Sequence, residues 1–561
     1  MINTIANAKS EIKEIVMNSL GRLVSRGKLP AEPIPAFAVE IPNDKSHGDF
    51  SCNAALVSAK AFKQNPRNIA DLIVENAVLD GTSFEKIETA GPGFLNFFVG
   101  KTWFAGTVNA VLNEKENYGK TDDGNGKRVL VEFVSANPTG PMHIGNARGG
   151  ALGDCLASLL QYAGYYVERE FYVNDAGNQI NKFALSLDLR YRRIFGDTVE
   201  MPEDSYHGQD ITDHAENFAK LYGDKYINAP EEERRSALVD YALPLNIKGL
   251  EEDLLKYRIK YDTWFKESAL HNDGSVAEII ELLKKSGYTY EQDGALWFKS
   301  TELGDDKDRV LIRANGVPTY SVPDIAYHYN KLVKRNFNIA IDILGADHHG
   351  YIPRMRAALT ALGVDASRLE VVIMQMVRLV RNGETVKLSK RSGKAITLST
   401  LLDEIPMDAA RFFFNLRDAN THFDFDLDLA VEESSKNPVY YVQYAHARIC
   451  RILEKQKEEG VECRLLPDNR LIYTESAEIE LIRHIATLPD VISEAAKELN
   501  PSDLTKYLTE LAQRFHKFYD SCPIKGTEEQ ILQSRLSLCL AAKTVLKNLL
   551  DLLKVEAPEK M

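Results

Sequence analysis

Cysteine is scarce in this chain: six among 561 residues, at Cys52, Cys155, Cys450, Cys463, Cys522 and Cys539. None forms a C-x-x-C pair and no zinc-ligand spacing appears. That excludes a structural zinc site of ordinary type and predicts mostly buried free thiols in a reducing cytosol. Long apolar runs are also missing, since no stretch approaches the roughly 20 residues of a membrane span. The first residues mix Lys and Glu with apolar positions and do not look like a signal peptide, so a cytoplasmic protein without a membrane partner is expected. Excess basic charge is absent as well. The formal net charge is -13, which argues against a purely electrostatic nucleic-acid binder and leaves only local basic patches open. There are no repeats and no low-complexity tract.

What is present is an ordinary globular composition, 44% hydrophobic and 27% charged, in a chain long enough for three or four domains at roughly 150 residues each. Residues 1–118 read as a small α+β unit: a helical period with Ile12, Ile15, Val16 and Leu20 on one face, then a strand from Phe94 to Phe98 after the turn Gly91-Pro92-Gly93. The polar, Gly-rich stretch Thr121–Gly126 reads as a linker. From Lys127 the pattern becomes strand (Val129–Val134), loop (Asn137–Pro141), helix (Leu152, Cys155, Leu156, Leu159, Leu160), strand (Tyr166–Val173). This is the βαβ unit of a nucleotide-binding sheet. A charged helical insertion is expected at about 185–305, with strands of the α/β pattern resuming at Val310–Ile312 and Ile339–Leu344. From Leu401 onward almost everything reads helical. The expected architecture is α/β: an N-terminal α+β domain (1–118), a Rossmann-like parallel-sheet domain (119–400) and an all-α domain (401–561).

Met142-His143-Ile144-Gly145-Asn146 falls between the first strand of that unit and its helix. A helix N-terminus offers free N–H groups and partial positive charge to a phosphate. Gly145 permits close backbone approach. His143 can donate to a phosphate oxygen as charge develops, and such a preorganised donor is worth about 2.7–4 kcal/mol. Far downstream, Lys387-Leu388-Ser389-Lys390-Arg391 lies in a basic stretch in which Glu384 is the one acid between Gln375 and Ala395. A loop-tip lysine there can follow charge migrating to a leaving pyrophosphate; a merely solvated basic loop is the other reading.

The two segments resemble the HIGH and KMSKS signatures of class I aminoacyl-tRNA synthetases. Asn146 stands where that family usually has a second His, and Arg391 where it usually has Ser; both replacements keep hydrogen-bond donors. The resemblance implies that Pro141, Met142, His143, Ile144, Gly145, Asn146, Ser389 and Lys390 bind ATP, accompanied by Mg2+. His143, Asn146, Lys387 and Lys390 would then be catalytic while an amino-acid carboxylate attacks the α-phosphate. No resident metal site is implied.

Within the class, the chain is similar to arginyl-tRNA synthetases over nearly its full length. The similarity is carried by Val131–Pro141, by Tyr172-Val173-Asn174-Asp175-Ala176-Gly177-Asn178-Gln179, by Gly345-Ala346-Asp347-His348-His349-Gly350-Tyr351 and by Asp44–Phe50. It implies L-arginine, ATP and tRNA(Arg) as substrates and a monomer. Guanidinium, with five donors in a planar fork and permanent charge, calls for carboxylates and a hydroxyl or aromatic partner. By resemblance Tyr320, Asp324 and Glu267 hold it. The two residues Tyr320 and Asp324, four apart, would share a helix face. Asn137, Ser135 and His348 would meet the amino-acid backbone end, and Glu132 either contacts substrate or buttresses the loop. Other readings stand beside these: Asp324 as a helix N-cap, Tyr320 as core, Asp347-His348-His349 as a metal cluster.

The helical tail is implied to bind the anticodon. Tyr440, Tyr444 and Arg448 are stacking candidates, with Phe518 and the terminal Met561 as a second group, while Phe94 and Asn96 would contact the tRNA elbow. For the aromatics, core packing is an equal alternative. Competing assignments are another class I synthetase, against which the missing cysteine zinc site counts for the cysteine enzyme, a short nucleotidyltransferase, which would need no helical tail, and a noncatalytic tRNA-binding paralogue.

Overall fold

The computed structural model describes residues 2–203, 205–386 and 397–561. The chain begins with the helix Thr4–Ser25, capped by the Asn3 side chain, which accepts from the Ala6 amide. Its buried residues, among them Ile5, Ile12, Val16, Leu20 and Leu23, recur at helical spacing, so one stripe packs inward. Four strands follow: β1 (Val39–Glu40), β2 (Phe50–Cys52), β3 (Phe84–Ala90) and β4 (Phe94–Val99). They form an antiparallel sheet in the order β1-β2-β4-β3. The turn between β3 and β4 needs its second glycine. Gly93 has φ +135°, and a Cβ there would lie 2.8 Å from the Pro66 backbone.

The central βαβ unit is as expected, with β5 (Arg128–Glu132), the helix Ile144–Tyr162 and β6 (Tyr166–Val173). Then come β7 (Thr263–Lys266), the short strands β8 (Thr289–Gln292), β9 (Ala295–Phe298) and β10 (Arg309–Ile312), and β11 (Ile339–Gly345) and β12 (Leu369–Met374). The main sheet is five-stranded, ordered β12-β11-β5-β6-β7, and all its pairs are parallel. Four consecutive residues of β5, Val129 to Glu132, are buried, as fits a parallel strand covered on both faces. From β5 the chain moves to one side, to β6, and later returns to the other side through β11. The crevice at the carboxyl ends of these strands is therefore a topological switch point, where ligands bind in open α/β sheets.

Three expectations need correction. Val310–Ile312 does not resume the parallel sheet; β10 belongs to a separate antiparallel sheet, β10-β9-β8. The stretch 185–305 is not one continuous insertion, because β7 pairs with β6 at the edge of the main sheet. Its helical part, Gly177–Ile194, Gln209–Tyr222 and Glu231–Lys256, closes a core of its own around Phe183, Tyr191, Phe218 and Leu238. Finally, the region after Leu401 is not wholly helical. Following β13 (Val377–Arg381) and β14 (Glu384–Thr385), a strand β15 (Phe423–Asp426) pairs in parallel with β13.

Beyond β15 the chain is helical: Pro438–Glu458, Ser476–Ala486, Leu488–Lys497, Ser502–Ser521 and Glu529–Leu553 are the long elements. Glu529–Leu553 packs on both the N-terminal helix Lys101–Glu114 and the motif helix Ile144–Tyr162, tying the three regions together. Among the described residues no helix is long and apolar enough to cross a membrane. All six cysteines are free thiols, and Cys52, Cys155, Cys522 and Cys539 are buried.

Candidate active site

The site begins where β5 ends. After Glu132 and Phe133, Val134 and Ser135 have φ of +70° and +41°, in the left-handed region that disfavours a β-branched residue. Strain of this kind costs on the order of 1–3 kcal/mol per residue and persists only where neighbours over-determine it. Here they do. Tyr261 Oη donates to the Phe133 carbonyl (2.9 Å), Ser135 Oγ donates to Glu132 Oε1 (2.8 Å) and the Tyr172 amide donates to Ser135 Oγ (3.1 Å). The turn opens the segment from Asn137 to Pro141 towards a cavity of about 900 Å³.

His143 stands at the N-cap of the helix Ile144–Tyr162, with extended backbone and no side-chain capping bond. The Asn146 amide donates to the His143 carbonyl at 2.9 Å, and the Ile144 and Gly145 amides, with no partner inside the helix, can meet a ligand. Pro141, Met142, His143 and Asn146 line the cavity, together with Ser135 and Asn137. Ile144 and Gly145 do not; the Ile144 and Met142 side chains are buried, and a Cβ on Gly145 would meet nothing within 4 Å. Lys387, Ser389 and Lys390 lie outside the described residues. The chain resumes at Thr397, which forms an antiparallel bridge with His143, and the Leu398 amide donates to the Met142 carbonyl at 2.9 Å.

Beside this turn lies an acidic cup. Asp324 is on the helix Ser321–Tyr329. Burial raises its pKa to about 6; His328 opposes the shift, and Glu267 and Glu132 add to it. Among the described residues no hydrogen bond or ion pair satisfies its carboxylate. The Tyr172 hydroxyl is buried beside Glu267, and burial, then the charges of Glu267 and Asp324, raise its pKa. The Asn174 amide, oriented to satisfy both contacts, donates to the Ala176 carbonyl (2.9 Å) and to Glu267 Oε2 (3.1 Å). Asn174 thus fixes Glu267 at the start of the helix Glu267–Asn272. Glu132 differs from the other two acids: one oxygen accepts from Ser135, the other from Lys331 Nζ at 2.5 Å. It buttresses the strained turn.

Tyr320 does not share a helix face with Asp324. It precedes the helix as its N-cap residue, is 69% exposed, and accepts from Arg354 Nη1 at 3.0 Å. It is not core, and Asp324, in the first turn rather than at the cap, is not a capping residue. His348 is half-exposed in a 3-10 turn, its ring 6.3 Å from that of Tyr351. His349 instead lines a separate cleft with Gln375 and Asn420, so the two histidines do not converge on one metal centre. Sequence reasoning quoted Tyr172 within a motif without giving it a role, and missed Lys331, Asp342 and His328. Strand alternation was the available signal, since Glu170 and Tyr172 are two apart on β6.

At the helical end, the Tyr440 and Tyr444 rings are nearly parallel, 6.4 Å apart at 4°, and the His516 ring lies 5.9 Å from Tyr444. The Arg448 guanidinium sits 4.2 Å from the Tyr519 ring centre. Burial, then Arg448, lowers the His516 pKa to about 4, so its neutral ring can accept from Arg448 Nη1 at 3.3 Å. Phe518 must be removed from the nucleic-acid candidates: it is 0% exposed in the helical core and cannot reach a base without unfolding its helix. Met561 is exposed. On β4, Phe94 is 39% exposed but Asn96 only 4%, with Oδ1 accepting from Ser51 Oγ, so of this pair Phe94 alone presents its side chain to solvent.

Three family models match successive stretches of the chain. The family models described as arginyl tRNA synthetase N terminal domain, tRNA synthetases class I (R) catalytic domain and DALR anticodon binding domain match residues 10–99, 107–433 and 442–561. The arginine--tRNA ligases of Caldanaerobacter subterraneus subsp. tengcongensis and Ruminiclostridium cellulolyticum are 51% and 50% identical, each match covering 100% of both chains. A solved structure of a putative arginyl-tRNA synthetase from Campylobacter jejuni is 36% identical, with a TM-score of 0.75 over 82% of this chain and 100% of that one. The Thermus thermophilus arginyl-tRNA synthetase shares the fold at 22% identity, with a TM-score of 0.72 over 97% of this chain and 99% of that one. With a strained turn at a topological switch point beside an acidic cup, and matches of this extent, the chain belongs to the arginyl-tRNA synthetases of class I.

Proposed function

We propose that the cup around Tyr172, Glu267 and Asp324 holds the guanidinium of L-arginine, and that the cavity at His143 holds ATP. The enzyme ligates arginine to tRNA(Arg). The arginine carboxylate attacks the α-phosphate and pyrophosphate leaves. A ribose hydroxyl at the tRNA 3′ end then attacks the carbonyl of the arginyl-adenylate and AMP leaves. No covalent enzyme intermediate is needed; the chain contributes positioning and electrostatics. His143 and the N-terminal amides of the motif helix face the phosphates, Asn146 donates where the class usually has His, and Lys387, Ser389 and Lys390 clamp the triphosphate. Ser135, Asn137 and His348 address the α-amino and carboxylate end. Tyr320 closes the mouth of the cup, and Glu132 supports it.

Magnesium would neutralise triphosphate charge. It fits here as an ion carried mainly by phosphate oxygens and water, because among the described residues no three His, Cys, Asp or Glu side chains converge. Asp210 is the carboxylate among the side chains lining the cavity and would be the protein ligand.

Tyr440, Tyr444 and Arg448 offer a stacking surface to unpaired anticodon bases, with Met561 at its end. Phe94, backed by Asn96, offers one to the elbow. The protein acts as a cytoplasmic monomer, with the N-terminal sheet region serving the elbow, the parallel-sheet region through β15 the chemistry, and the helices beyond β15 the anticodon.

The observation that carries the reading is the unpaired, half-buried carboxylate of Asp324 facing Glu267: with Glu132 already answered by Lys331, these two acids call for a further cation. Arginine-dependent ATP–pyrophosphate exchange, measured with and without tRNA, tests it. Exchange with another amino acid but none with arginine would end the substrate assignment.

A further inference from the structure

Three acids lie in one register row of the main sheet, level with the carboxyl end of β5. Asp342 on β11 stands beside Glu132 on β5, and Glu132 beside Glu170 on β6. All three are buried. Like charges on neighbouring strands are destabilising, and buried charge demands a partner. Lys331, itself fully buried, supplies one: its Nζ is 2.5 Å from Glu132 Oε2, 2.9 Å from Asp342 Oδ1 and 4.1 Å from the Tyr327 ring centre. Glu170 is answered separately, by Arg335 at 2.6 Å and the Tyr327 hydroxyl at 2.7 Å.

The contacts continue past Lys331. The second oxygen of Asp342 is 2.7 Å from His328 Nε2, and His328 Nδ1 is 2.8 Å from the carbonyl of Asp324. Both ring nitrogens thus face oxygen acceptors. Lys331 lies in a π-turn, Asn330–Lys334, that extends the helix bearing Asp324; such turns recur at functional sites. An unbroken chain of polar contacts therefore runs from Ser135 at the cavity, through Glu132, Lys331, Asp342 and His328, to the backbone of Asp324 in the cup.

We propose that Lys331 is a positioning residue for arginine, holding the strained Val134-Ser135 turn and the Asp324 helix at one fixed separation, so that both ends of a single arginine molecule are gripped together. This rests on the reading of the cup as the arginine site. Lys331 is wholly buried and touches no substrate. Stability alone does not account for the network, since buried ion pairs can often be replaced by apolar groups of similar shape without loss. What the network adds is geometry, and misplacement of a reacting group by about 1 Å costs roughly a hundredfold in rate.

The test uses the full-length enzyme with tRNA, ATP and arginine. Lys331→Met should raise KM for arginine roughly tenfold or more, with KM for ATP and tRNA changed less than about twofold. Asp342→Asn, at the far end of the chain of contacts, should move arginine KM in the same direction by less. The pair Glu132→Gln/Lys331→Met should be no worse than Lys331→Met alone, because the two residues act as one link. This pair leaves Glu132 without a charge, so together with Asp342→Asn it carries the test if Lys331→Met does not fold. An unchanged arginine KM, equal rises in all three KM values with a lowered melting temperature, or multiplicative losses in the pair would overturn the proposal. If the wild-type enzyme fails to charge arginine, the functional reading falls. If it charges arginine while these variants keep their KM, only the positioning role falls.

Discussion

Asp324 shows how a single carboxyl can oppose stability while standing ready for a cation, as the proposed arginine site requires. It is half-buried and its pKa is raised to about 6, with desolvation the leading cause. The folded state therefore binds more protons than the unfolded chain between pH 4 and 6, and stability falls as pH rises through that window. At neutral pH the charged group costs about 3 kcal/mol at most. Asp324→Asn should consequently stabilise the free enzyme by about 1–3 kcal/mol at pH 7.5 in urea unfolding, while kcat/KM for arginine drops on the order of a hundredfold or more, as expected when one partner of a buried charge pair is lost. The same shift sets a pH dependence: KM for arginine should climb as pH falls through about 6 and Asp324 protonates. A KM profile from pH 5 to 8 checks this, and it should be flat in the Asn variant. The residue types at the cup were legible from the sequence through family likeness. The ionisation of Asp324 was not, because desolvation depends on what packs over the carboxylate. Nor was the placement of Tyr320, since four-residue spacing means a shared face only if both residues lie inside the helix, and this helix starts at Ser321.

At the level of elements, the motif helix and β5 are locked by a glycine contact. A Cβ on Gly153 would lie 2.3 Å from the Phe133 ring, and Phe133 immediately precedes the strained turn. Gly153→Ala should thus destabilise by about 1–3 kcal/mol through overpacking and lower kcat as the turn shifts, measured by thermal unfolding alongside charging assays. Unchanged stability would mean that the ring moves aside freely. The strand–turn–helix–strand order here was readable because each period repeats over several residues. The four-residue strands β7, β10 and β15 were not correctly placed: such runs carry too few alternations to say which sheet they join. Pairing partners decided that, and β15 joins β13 across an intervening helical stretch.

For the whole molecule, a buried arginine joins the parts. Arg411, wholly buried, donates to the carbonyls of Leu553 (2.7 Å) and Tyr257 (2.8 Å) and pairs with Asp154 (2.6 Å), so one side chain links the last helix, the insertion's end and the motif helix. Arg411→Met should cost about 3–5 kcal/mol, because it strips a partner from buried acceptors; a urea transition that splits in two would show the parts unfolding separately. Tyr444→Ala should raise KM for tRNA by roughly tenfold, in line with about 1–3 kcal/mol per stacked base, and leave KM for arginine and ATP within about twofold. A tRNA KM unchanged at several salt concentrations would remove that surface from recognition. The sequence alone determined the βαβ core, the turn that carries His143 and the family, because contiguous motifs and local periodicity encode them. Tertiary structure alone decided that Tyr172 joins Glu132, Glu267 and Asp324, that Phe518 faces inward, and that Lys331 answers two acids at once. Burial and cross-strand register are properties of the packed chain, and no run of neighbouring residues contains them.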